Sequence, residues 1–425
     1  MEAVPGMSDR LRLFMLPEYR LQNMDPKNEQ IEKYSGSKYE PVFTILSKRA
    51  APKDEAGRTE LIFGFGCLLT TLVTCFIYGT DVNSLNEGFV AKAMLAARGT
   101  PLDGIVSTET LQAGKDVVSR LLPIALGLFG LQITHDIGHY IAAKIHNTKL
   151  SLPYYLPSLQ IGIFGSITNF LSFPKSRKAL FDISISGPAL GFLFSLLLTV
   201  YGLQLTVSAS PEILSTYPAV PTGFFSSSFL LHEIINKYLD ISNILPNSIT
   251  LINPLVAVGV TGLLSNTLNF LPIGKLDGGR VAMAIGGRQC AEQIAFITLI
   301  GLSIGIFTDA SPIYFFWIVL VVFLQRGSDI PPEDDITPIA TDIDDEKKDI
   351  KWLGRLVTLA FCITLTGTMV LPVPKSYTTT TTTSTTTIKP KQILAPSPPS
   401  LAPSPNLAPA PAPLSLPSLP GSIDV

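Results

Sequence analysis

Thr134-His135-Asp136-Ile137-Gly138-His139-Tyr140 lies inside the apolar run 121–143, and how these residues are read decides how the rest of the chain is read. Two of the chain's four histidines stand four residues apart. On a helix such a pair shares one face, with Cβ atoms roughly 5–6 Å apart. Two imidazoles at that spacing can chelate one ion. Zinc takes neutral imidazole nitrogens at about 2.0–2.1 Å and, in catalytic sites, keeps three protein ligands and one water. The pattern is H-E-x-x-H with Asp136 in the Glu position. The carboxylate of that motif is a general base for the metal-bound water rather than a ligand. Asp136 carries it on a stem one methylene shorter, drawn back by about 1.5 Å, roughly one C–C bond. Metal binding is expected to survive the change, and the reach of the acid is what it puts at risk. The plainer alternative, two satisfied core histidines, is disfavoured because ionisable groups inside a membrane-grade run are expensive and mark function.

Composition agrees with a membrane chain. Of 425 residues 46% are hydrophobic and 15% charged, with a mean hydropathy of +0.37, against the quarter that is charged in a typical soluble domain. A net charge of -2 points neither to nucleic acid nor to an electrostatically driven partner. Cys67, Cys75, Cys290 and Cys362 lack C-x-x-C spacing and read as small buried hydrophobes.

Outward from the motif, residues 61–78, 121–143, 183–205, 251–271, 294–307, 313–324 and 353–371 read as membrane spans. The expected fold is all-α and polytopic, with about seven transmembrane helices. Three parts follow: a soluble N-terminal segment at 1–58, a transmembrane domain at 59–372, and a disordered Thr/Pro-rich tail at 373–425. The acids and bases mixed through 1–58 fit neither a signal peptide nor a transit peptide, so a trimmed chain or address by the transmembrane helices alone is expected. The acidic stretch 329–349 is expected to be a solvated loop, and His232-Glu233 and His146 to lie on the surface.

Between the second and third spans, 152–157 and 161–168 alternate β-branched residues and glycines between prolines, the pattern of a re-entrant loop or β-hairpin. Bare backbone at membrane depth must be buried in protein or line a water-filled cavity, so such a hairpin would line the metal site. An interfacial turn outside the bilayer is the alternative. Gly187-Pro188-Ala189-Leu190-Gly191 offers small residues four apart, which let this helix approach the motif helix closely. The fourth span ends in Asn269-Phe270-Leu271-Pro272-Ile273-Gly274-Lys275-Leu276-Asp277-Gly278-Gly279-Arg280. Asp277, an acid at a broken helix end, needs a partner. Zinc would complete a site of His135, His139 and Asp277, while a helix C-cap paired with Arg280 is the alternative.

Taken together, these motifs resemble the site-2 protease family of intramembrane zinc metalloproteases, closest to the plastid and cyanobacterial branch named for ethylene-dependent gravitropism-deficient and yellow-green plants. The resemblance rests on Leu152-Pro153-Tyr154, the 160–168 loop, Ser186-Gly187-Pro188-Ala189, the 269–279 stretch and Phe323-Leu324-Gln325-Arg326-Gly327. It implies His135, His139 and Asp277 as zinc ligands, Asp136 at the catalytic base, and a 162–168 loop that holds substrate as an extended strand. It further implies cleavage of membrane-embedded proteins in a chloroplast membrane, thylakoid or envelope, with a cyanobacterial membrane as the other setting. The expected partners are membrane-protein substrates and the lipid bilayer. Asn269 is the expected donor to a tetrahedral oxyanion, with an interhelical hydrogen bond as its alternative. Family proteases carry Glu where Asp136 stands, so a pseudoprotease that binds membrane proteins without cutting them is the second reading. A metal-dependent transporter is the third, weakened by the lack of an inverted hydropathy repeat.

Overall fold

The computed structural model describes residues 11–19, 39–47, 57–97, 107–225, 228–241, 248–307, 312–324 and 330–335. The expected span at 353–371, the tail and Cys362 lie outside them. Near the N-terminus, strands β1 (Leu11–Tyr19) and β2 (Tyr39–Ser47) pair antiparallel, Leu11 opposite Ser47. The remainder is mostly helical.

Three helices among the described residues are long and apolar enough to cross a membrane: α1 (Arg58–Asn83), α3 (Thr108–Ile145) and α4 (Arg177–Ser208). They contain the expected spans at 61–78, 121–143 and 183–205. Their outer faces carry large apolar side chains, such as Ile62 at 73% and Phe63 at 65% relative exposure. Water would not tolerate a patch of that kind, whereas lipid tails would. A short helix α2 (Glu87–Ala97) follows α1. Ser107 caps α3, accepting a hydrogen bond from the Thr110 amide. With 38 residues α3 is about 57 Å long, well beyond a hydrocarbon core of about 30 Å. The motif therefore sits in the last third of a helix longer than such a core is thick.

In α4 the buried hydroxyls of Ser184, Ser195, Thr199 and Thr206 each donate to the carbonyl four residues back. Their polarity is thereby satisfied inside one helix, leaving the surface free to pack. Short elements α5 (Pro211–Leu214), β5 (Ala219–Pro221), α6 (Thr222–Phe225), α7 (Phe229–Leu239) and β6 (Ile249–Leu251) bridge to the next long helix. Helix α7 is amphipathic. His232 on it, expected at the surface, is buried at 7% exposure, because its face, with Leu231 and Ile235, turns into the core.

Helix α8 (Pro254–Asn269) starts at Asn253, whose side chain accepts from the Leu255 amide, with Pro254 at the first turn, where its missing N–H costs nothing. It is buried on nearly every side, against α4, α3 and the hairpin described next. At 16 residues it is about 24 Å long. Helix α9 (Asp277–Phe307) bends at Gly287, whose backbone is left-handed with φ 78, and α10 (Pro312–Leu324) follows.

Between α3 and α4, strands β3 (Tyr154–Ser158) and β4 (Gly162–Ile167) pair antiparallel. Tyr154 faces Ile167 and Tyr155 faces Ser166, and the register slips between Leu156 and Pro157. Proline has no N–H to continue the ladder, so a bulge there is the expected accommodation. Two backbone carbonyls of β4 are satisfied from neighbouring helices: Thr74 of α1 donates to Gly162 at 2.6 Å, and Ser265 of α8 donates to Phe164 at 3.0 Å.

Residues 330–335, read as solvated from their charge, instead pack against the start of α4. The Glu333 amide donates to the Pro174 carbonyl and Asp334 bridges to Ser176. Arg177 pairs with the buried Asp335 at 2.9 Å. Burial holds the Asp335 carboxyl above its ordinary range, against the pull of that guanidinium. A matching cation and a backbone bridge let an acidic segment dock where composition alone argued against it.

Candidate metal centre

Helix α3 delivers His135 and His139 to the face it shares with α4 and α8, and the first residue of α9 delivers Asp277. The two Nε2 atoms are 3.0 Å apart, and Asp277 Oδ2 lies 3.3 Å from one and 3.4 Å from the other. All three residues are buried, at 2%, 2% and 8% exposure. Among the described residues they form a group whose ligand atoms are close enough to share one ion.

The backbone and side chains behind the rings decide what those nitrogens can do. His139 Nδ1 lies 2.7 Å from the Ile183 carbonyl, which can only accept, so Nδ1 carries the proton. His135 Nδ1 lies 2.8 Å from Asn266 Oδ1, and the Asn266 amide donates its own N–H to the Gly262 carbonyl, which turns its oxygen to the ring. As neutral imidazoles, the state in which histidine binds a metal, both rings are therefore Nδ1–H tautomers whose Nε2 atoms present lone pairs. With Asp277 this makes three buried acceptors converging with no donor among them. That arrangement is repulsive unless a cation stands between them. Ligands of a tetrahedral zinc ion at 2.0–2.1 Å lie about 3.3–3.4 Å from one another, close to the separations found. The donor set and its size fit zinc.

Asp277 does not take the C-cap position that sequence left as its alternative. It opens α9 rather than capping α8, and the positive end of the helix dipole favours its charge. Arg280 reaches it only at 3.9 Å, and instead donates to the Thr168 carbonyl at 2.7 Å and stacks over Phe170 at 4.7 Å. Gly278 and Gly279 lie in the first turn of α9. A Cβ on Gly278 would stand 1.9 Å from the Phe270 carbonyl oxygen, so these glycines permit close approach.

Asp136 is buried beside the histidines at 3% exposure. Its Oδ1 accepts from the Ser166 hydroxyl at 2.5 Å, and that hydroxyl accepts from Gln132 Nε2 at 3.0 Å. Asp136 Oδ2 is buried without a hydrogen-bond partner. Asn269 lies under the hairpin, so close to Gly165 that a Cβ there would stand 2.3 Å from its Nδ2; the backbone of Gly165 has φ +142. The structure thus gathers all five residues singled out from sequence around one centre and the adjoining hairpin. It adds four to which the motifs gave no individual role: Asn266, the Ile183 carbonyl, Gln132 and Ser166. Gln132 carried a signal, standing one helical turn before Asp136; the backbone carbonyl carried none.

Comparison with known proteins agrees with this geometry. Peptidase family M50 matches residues 123–307, from within α3 to the end of α9. A probable zinc metalloprotease EGY1, chloroplastic, of Oryza sativa subsp. japonica is 28% identical over 336 residues, covering 78% of this chain and 54% of the relative. EGY2 of Oryza sativa subsp. indica is 36% identical over 256 residues, covering 59% and 44%, and EGY2 of Arabidopsis thaliana is 34% identical over 296 residues, covering 67% and 50%. The chain spans about half the length of these curated relatives. No solved structure matches. The matched segment, which holds the motif helix, the hairpin and the Asp277 turn, is similar to peptidase family M50 over a little under half of the chain.

Proposed function

We propose that this chain is an intramembrane zinc metalloprotease of the site-2 type, hydrolysing peptide bonds of membrane-embedded proteins in a chloroplast membrane. The observation that carries the reading is the convergence of His135 Nε2, His139 Nε2 and Asp277 Oδ2 within 3.0–3.4 Å of one another, with both Nδ1 atoms already committed. The chloroplastic zinc metalloproteases it matches support the metal and the compartment. In this reading the domain has about seven membrane helices, the short α8 and the bent α9 among them, and β3–β4 dips into the bilayer to line the site.

Bound zinc would act as a Lewis acid and lower the pKa of its water toward about 7. His135, His139 and Asp277 would hold it. Asp136, fixed through Oδ1, offers the unpartnered Oδ2 to take a proton and return it to the leaving amine. The Asn269 carboxamide, wedged under Gly165, is the donor for the oxyanion. A helical peptide bond has its carbonyl tied to an amide four residues on, so substrate must unwind before it can be cut. In this reading the unwound segment lies against the two-stranded hairpin as an extended strand.

The test is zinc stoichiometry and cleavage of a single-span membrane substrate by the purified full chain. One zinc per chain, lost together with cleavage in His139→Ala and Asp277→Asn, is expected. A wild-type protein that cuts nothing, with or without zinc, would overturn the protease and leave the pseudoprotease.

A further inference from the structure

We propose that Ser166, held in turn by Gln132, aims Asp136 from the hairpin, which makes these two side chains positioning residues for the shortened acid. The inference rests on the protease reading for its catalytic consequence, while the contact itself stands on geometry. Gln132 Nε2 can only donate, so Ser166 Oγ accepts there, at 3.0 Å. The single hydroxyl proton of Ser166 is then directed at Asp136 Oδ1, 2.5 Å away. The chain of hydrogen bonds therefore runs one way, from amide to hydroxyl to carboxylate. It commits one carboxylate oxygen and leaves Oδ2, buried and unpartnered, as the acceptor still available.

Gln132 and Asp136 are one turn apart on the same face of α3, so the serine bridges an i, i+4 pair from outside the helix. Ser166 is itself a fixed point. Its strand is tied to α1 through Thr74 and to α8 through Ser265, and Tyr155 stands opposite it across the hairpin. An aspartate one methylene short of glutamate thereby gains an external anchor, and its angle is set by the same hairpin that presents substrate. A strand that shifts on binding would move the acid with it.

The experiment uses the full chain purified in detergent, with Ser166→Ala, Ser166→Thr, Gln132→Leu, Asp136→Ala and the Ser166→Ala/Asp136→Ala double variant. Zinc stoichiometry, thermal midpoint, and kcat and KM on a single-span substrate are measured for each. Expected are unchanged zinc content and a kcat loss of about tenfold or more in Ser166→Ala, with KM moved less than about twofold. Ser166→Thr, which keeps the hydroxyl on a strand-compatible side chain, restores kcat. Midpoint losses of the two alanine singles are non-additive in the double variant, as for residues in direct contact. Additive losses, an unchanged kcat in Ser166→Ala, or a loss of zinc that threonine does not repair would each overturn the inference. If the zinc-loaded wild type cuts nothing, the protease reading fails on its own, and the additivity of the midpoints alone decides whether Ser166 holds Asp136.

Discussion

Each imidazole of the metal centre is held by a different kind of acceptor, and the two are not equally open to mutation. The Ile183 carbonyl behind His139 is backbone, beyond the reach of a simple substitution, whereas Asn266 behind His135 is a side chain 131 positions away in sequence. Asn266→Ala removes that acceptor and frees the His135 ring to rotate or to place its proton on Nε2. Loss of such an outer partner typically lowers metal affinity about 10–100-fold. Zinc competition against a chromophoric chelator is expected to show a weakening of that size while the folded protein persists. An unaltered affinity would mean that the tautomer is set elsewhere.

At the level of elements, the crossing of α3 over α4 is as much a part of the site as its ligands. Gly187 faces the His139 ring so closely that a Cβ would stand 2.2 Å from Nε2, and Gly138 faces the Ser186 carbonyl, 2.5 Å from its would-be Cβ. The small residues that let the helices approach also set the depth of the imidazole. Gly187→Ala must therefore either separate the helices or displace the coordinating nitrogen, an overpacking that costs about 1–3 kcal/mol. A lower thermal midpoint together with loss of zinc is expected. Gly130→Ala, on the exposed face of the same α3 with nothing within 4 Å of the new methyl, is the control. It should keep both, with helix propensity gaining about 0.5–1 kcal/mol.

For the molecule as a whole, the centre joins α3 to α9 across the face of α8, so an ion bound there braces elements that the chain itself does not connect. Binding only the folded state stabilises it by RT ln(1 + [L]/Kd), about 4 kcal/mol at a thousandfold excess over Kd. Chelator treatment of the zinc-loaded protein is expected to lower the thermal midpoint in detergent, and zinc to restore it. Asp277→Asn should melt at one temperature with or without chelator. A midpoint indifferent to chelation in the wild type would show that the three acceptors do not carry a stabilising ion.

The local features of the site were legible in sequence because they depend on periodicity. The i, i+4 histidines, the strand pattern interrupted by prolines, the apolar spans and the small-residue face of α4 each follow from which residues share a face or fill a run. Charge and local chemistry misled where a distant partner decided the outcome. Arg177 lets the acidic 330–335 segment dock, and packing buries His232. Asp277 read as a ligand with a cap as its alternative, and it is the turn between α8 and α9 that brings it to the rings. A one-dimensional pattern can say that two imidazoles share a face. It cannot say that a carboxylate, an asparagine and a hairpin serine arrive from other segments at bonding distance, because that depends on how long-range packing closes the chain on itself.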